Sequence, residues 1–137
     1  MEKRDWLLLA IHDRLEPIQI QKTLFKFAKE SDAPSNEIYT FVPYDWGPCS
    51  LEIYDDLAIL RDEGFVHFVP SGRGWSLYSV TDAGQRKQDS LRKDAPPNFL
   101  ASLDQARTYV TSRDFETLLE DIYEEYPEFA SQSLFKR

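Results

Sequence analysis

Two histidines, one cysteine and several crowded carboxylates are the side chains with which this chain could do chemistry. His12 falls in a helical stretch and His67 in an extended one, where it shares a face with Phe65 and Val69. With Cys49 they do not make up the spaced set of three or four nitrogen and sulfur donors that a zinc site needs. Neither histidine belongs to a motif that would pair it with a nucleophile and an orienting carboxylate. Gly72-Arg73-Gly74 is too short to cradle phosphate and suits a hairpin turn. The carboxylates run along amphipathic stretches instead of flanking apolar pocket residues. A protein without enzymatic activity, metal or cofactor is therefore expected.

What remains is the chemistry of binding. Residues 50–63 read as a helix, and at ~100° per residue Glu52, Asp56, Ile59 and Glu63 share one side, with Asp55 and Asp62 beside them. Ile53, Tyr54, Leu57, Ala58 and Leu60 form the opposite, core-facing side. Near the end of the chain, Asp114, Glu116, Glu120, Asp121, Glu124, Glu125 and Glu128 crowd together, interleaved with Tyr123, Tyr126 and Phe129. Aromatic side chains within a charged rim are typical of protein interfaces. Glu52, Asp55, Asp56, Ile59, Glu63, Tyr123 and Tyr126 are accordingly the candidate protein-binding residues. The plainer account is a solvated acidic face, with the aromatics turned inward.

Nucleic acid is the alternative partner. Lys22, Lys26 and Lys29 share one face of a second helix, where they could follow a phosphate backbone. Arg73 at a hairpin tip, with Arg86 and Lys87 beyond it, completes the candidate DNA-binding set. Against this stands a net charge of −8. Residues 1–94 hold 12 Lys and Arg against 16 Asp and Glu, and residues 95–137 hold 4 against 8. Neither part offers general attraction to phosphate or to anionic lipid. No apolar run approaches the ~18 residues of a membrane span, so no membrane partner is expected. The start, Met1 to Ile11, carries acids at Glu2 and Asp5 and lacks a small-residue cleavage site, so it reads as part of the fold. One cysteine excludes an internal disulfide and fits a reducing, cytoplasmic setting.

The elements that must position these residues follow from periodicity and breakers. Helices are expected over residues 4–14 and 17–30, the second opened by Pro17. Ile38-Tyr39-Thr40-Phe41-Val42 has strand composition, followed by a turn into the helix at 50–63, which stops at Gly64. Residues 65–69 and 75–80 read as a hairpin, and Thr81 as the N-cap of a helix reaching about residue 91. Beyond Pro96-Pro97, two amphipathic helices carry Phe99, Leu100, Leu103 and Val110, then Phe115, Leu118, Leu119, Ile122 and Tyr126. The expected fold is α+β: a winged helix-turn-helix over residues 1–94 with a small antiparallel sheet. Residues 95–137 form a helical extension packing on it or on a second subunit, which makes a homodimer reasonable.

The run Tyr44-Asp45-Trp46-Gly47-Pro48-Cys49-Ser50, with Asp56-Leu57, Leu60 and Gly64-Phe65-Val66 after it, resembles small bacterial winged-helix proteins that carry a Gly-Pro-x-Ser turn before the last helix. The Panacea-domain antitoxins have a related turn. The likeness extends to residues 20–24 and to residues 123–131, with Cys49 where an aromatic or aliphatic residue is more usual. The resemblance implies capture of a partner protein or regulation of transcription, without assigning either to a named residue. The expectation is a regulatory module that binds macromolecules, with protein contact favoured and a DNA-binding transcriptional regulator as the alternative.

Overall fold

The computed structural model describes residues 1–135, which form an α+β fold of six helices and two small antiparallel hairpins. Helix α1, Lys3–Ala10, is buried on every side from Trp6 onward, and Trp6 to Ile11 are at most 1% exposed. That explains its hydrophobic run: it is a core helix. It ends earlier than expected, at Ala10, because its last carbonyls find partners elsewhere. Gln88 Nε2 donates to Leu8 O and Ile11 O (2.8 and 2.7 Å), and Arg107 Nη1 to Leu9 O (3.2 Å). The chain then turns so that Leu15 and Tyr78 exchange backbone hydrogen bonds.

Helix α2, Pro17–Glu30, starts at Pro17 as its sequence predicts and has buried residues all around its circumference. Helix α1 packs on one side and α5, Pro97–Thr111, on another, while the hairpin of β1 (Val42–Tyr44) and β2 (Gly47–Cys49) covers a third. The strand expected at residues 38–42 does not form. Tyr39 is instead buried, its hydroxyl donating to Asp56 (2.7 Å), and strand pairing begins only at Val42, opposite Cys49. Asp45 and Trp46 make the turn, and Gly47 takes φ +89°, which disfavours any residue with a Cβ. This hairpin stays separate from the ladder of β3 (Val66–Pro70) and β4 (Ser76–Val80).

Helix α3, Glu52–Asp62, buries Ile53, Leu57 and Leu60; Tyr54, expected with them, is exposed and Ala58 half-buried. Helices α4 (Asp82–Asp94) and α6 (Phe115–Glu125) complete the fold. The apolar stripes of α5 and α6 are covered within one chain: Leu103 joins the main core, while Val110, Leu118, Leu119 and Ile122 close a second core around Phe25. No helix is long and apolar enough to cross a membrane among the described residues.

Thr81 caps α4 by accepting from Gly84 N (2.9 Å) and donating to Gly64 O (2.6 Å). This draws the helix so close to Phe65 that a Cβ on Gly84 would stand 2.0 Å from the Phe65 carbonyl oxygen. Gly84→Ala should therefore cost about 2 kcal/mol or more, read as a lower urea midpoint. An unchanged midpoint would show that the helix start slides freely past β3.

Candidate binding groove

The acidic side of α3 meets the start of α1, which pairs with three of its carboxylates although all but Asp56 remain exposed. Lys3 Nζ reaches Glu52 (2.7 Å), and Arg4 lies 3.8 Å from Asp56 and 3.9 Å from Glu63. The buried Tyr39 phenol, raised well above its ordinary range by burial and by Asp56, adds the strongest of these contacts. Asp55 and Ile59 stay exposed without such partners among the described residues. Tyr123 is buried, with its hydroxyl donating to Ser133 Oγ (2.6 Å), and Tyr126 sets its ring 5.1 Å from that of Phe25. Tyr123 therefore belongs to the second core, and the half-buried Tyr126 packs against it.

The lysine face of α2 undergoes a larger correction. Lys22, Lys26 and Lys29 do share a side, but the β1–β2 hairpin and the last helices cover it. Lys22 is 2% exposed and Lys26 6%. Lys26 Nζ pairs with Glu30 (2.7 Å) and sits 4.0 Å above the Tyr109 ring. Lys29 is exposed and lies over Phe25 and Phe129. Arg73, Arg86 and Lys87 are exposed on elements other than α2. The two histidines are both exposed, and burial together with Arg107 holds His12 below its ordinary range. Among the described residues, no three His, Cys, Asp or Glu side chains converge to hold a metal ion.

The feature that the sequence did not suggest is a groove of about 720 Å³ where five segments meet. The start of α2 contributes Pro17 and Ile18, the β1–β2 turn Tyr44, Asp45 and Trp46, and the start of α3 Leu51 and Tyr54. Arg73 and Trp75 come from the β3–β4 turn, and Phe115 from the start of α6. Nine large apolar side chains are exposed among the described residues, and six of them line this groove: Tyr44, Trp46, Leu51, Tyr54, Trp75 and Phe115. Scattered exposed apolar residues are ordinary; a gathering in one concavity marks a binding surface. The turn is held rigidly: Leu134 N donates to Asp45 O (2.8 Å), and the Trp46 and Phe115 rings meet edge to face at 5.5 Å.

Lys22 and Cys49 form the floor. Nζ of Lys22 donates to Pro48 O (2.8 Å). Next to it, the Gln21 amide donates to Ser50 O and accepts from Ser50 N, both at 2.9 Å. Burial lowers Lys22 to about 7, and pushes the Cys49 thiol up against the opposing pull of Lys22. The signal for this site was present as Trp46 and Trp75, each beside a turn glycine, where a bulky apolar side chain has no core to enter.

Compared with family models, curated proteins and solved structures, the chain matches none.

The lowered Lys22 has a defined effect on stability. Below pH 7 both the folded and the unfolded chain hold its proton, and the folded chain bears the full cost of a buried charge. Between about 7 and the 10.5 of an ordinary lysine, only the unfolded chain stays protonated, so stability rises with pH. Urea midpoints of wild type should therefore climb from pH 6.5 to 8.5 relative to Lys22→Met, which lacks the group. A constant difference between the two would show that Lys22 stays charged.

Proposed function

We propose that this chain is a non-enzymatic winged-helix regulatory module that works by capturing a polypeptide segment in the aromatic groove. The order of α2, α3 and the β3–β4 hairpin supports the winged-helix reading, with Arg73 and Trp75 at the tip of the wing. The observation that carries the function is the concentration of exposed Tyr, Trp, Leu and Phe side chains in one concavity, with an arginine at its edge. Trp, Tyr and Arg are the residues that dominate protein interfaces energetically, because they bury much area at little entropic cost.

Two of the six residues behind the DNA-binding alternative are withdrawn from the open surface, since Lys26 is buried against Tyr109 and Lys22 borders only the groove. We favour the groove over the acidic side of α3 as the protein-binding surface, because the exposed aromatics gather there. Selection of displayed random peptides on wild type, counter-selected on Trp46→Ala plus Trp75→Ala, tests this. Aromatic and aliphatic sequences should enrich, and a selected peptide should bind the double variant at least about tenfold more weakly. Glu52→Lys plus Asp56→Lys should leave its affinity unchanged. Equal enrichment on both proteins, or none on wild type, refutes the groove as the capture site.

A further inference from the structure

Lys22 is a buried amine with no carboxylate partner among the described residues. Its Nζ has one acceptor among the described residues, the Pro48 carbonyl, whereas a protonated ammonium carries three donors. No carboxylate comes within 4.0 Å of it among the described residues, although Lys3, Lys26 and several arginines all find one. The polar neighbours that might have served are otherwise engaged. Gln21 is closed onto Ser50, and Glu16 is part of a capping box with Gln19 at the start of α2. A lone buried charge is costly, and supplying its partner removes much of that cost.

We propose that Lys22 receives a carboxylate, and that this carboxylate is the free C-terminus of the captured polypeptide. The inference rests on the groove being the capture site. Lys22 lines the same groove as Trp46 and Tyr54, and a ligand residue that carries both an apolar side chain and a carboxylate can answer both chemistries at once. The last residue of a chain carries both on one Cα. It also brings no onward backbone, whose N–H and C=O groups would need partners inside an apolar cleft. Arg73 at the rim adds a second cation, while the acids Glu16 and Asp45 lie at the groove wall and turn. The favoured ligand therefore ends in a large apolar residue such as Phe, Trp or Leu and lacks acidic residues just before it.

Capture has a signature that simple packing does not share. Near pH 8 the free protein holds Lys22 largely unprotonated, and an arriving carboxylate draws a proton onto Nζ. Cys49, Tyr44, Tyr54, Tyr123, Glu16, Asp45 and Arg73 are the other titratable or charged groups around this floor. Lys22→Met separates their contribution from that of the lysine.

The test uses short peptides anchored at their N-termini and ending in Phe, Trp or Leu, each as free acid and as amide. Wild type should bind the acid at least tenfold more tightly than the amide. Titration calorimetry at pH 8 in two buffers of different ionisation heat should show proton uptake approaching one per complex. In Lys22→Met the acid and amide should differ less than twofold, with no proton uptake. Equal binding of acid and amide by wild type, a comparison that needs no variant to fold, overturns the inference and leaves the groove as capture site. No binding of either form, together with no enrichment in peptide selection, overturns both. Amidated peptides with an internal Glu binding as tightly as the free acids, or indole-3-propionate alone doing so, would overturn the chain terminus as the source.

Discussion

A helix covered on all sides must satisfy its polar side chains internally, and α2 does so by gripping the backbone of the segment that leads into α3. Gln21 closes both hydrogen bonds of Ser50, and Lys22 holds the carbonyl of Pro48. A buried amide left unmet costs about 1–3 kcal/mol, so these contacts fix where the segment runs. That in turn sets the β1–β2 turn on one side and the first turn of α3 on the other. The groove is the gap between them, and its floor is the grip itself.

Electrostatics divides the surface in a complementary way. Helix α3 carries an acidic stripe because α1 brings Lys3 and Arg4 to it, although such partly exposed pairs contribute only ~0–1 kcal/mol each. Their effect is chiefly to remove a local concentration of negative charge near the groove. Further carboxylates stand exposed on α6, at Glu116, Glu120, Glu124 and Glu125, and beyond it at Glu128. An apolar concavity on an otherwise acidic molecule discriminates against polyanions without needing any specific rejecting contact.

The elements that local chemistry specifies were legible. Pro17 opens α2, Thr81 caps α4, Gly64 follows α3, and the β3–β4 hairpin surrounds its glycine turn. What failed was whatever depends on distant contacts. Residues 38–42 have the composition of a strand, yet Tyr39 is drawn into the core by Asp56. Lysines at positions 22, 26 and 29 have the spacing of an exposed face, yet three segments far along the chain close over two of them. Helical periodicity identifies which residues share a side; only the tertiary arrangement decides whether that side meets water. The groove was hidden for the same reason, since its walls come from five separate places.

The two hydrophobic clusters meet across a single helix, with Ile20, Leu24 and Phe27 on one and Phe25 on the other. The final helices therefore supply the far wall of a shared partition, and Leu119 and Tyr123 also press against Gly47 in the hairpin turn. The rings at the mouth of the cleft face solvent and can be replaced singly, whereas α5 and α6 cannot be removed as a cassette, because each closes a core begun by the earlier part of the molecule.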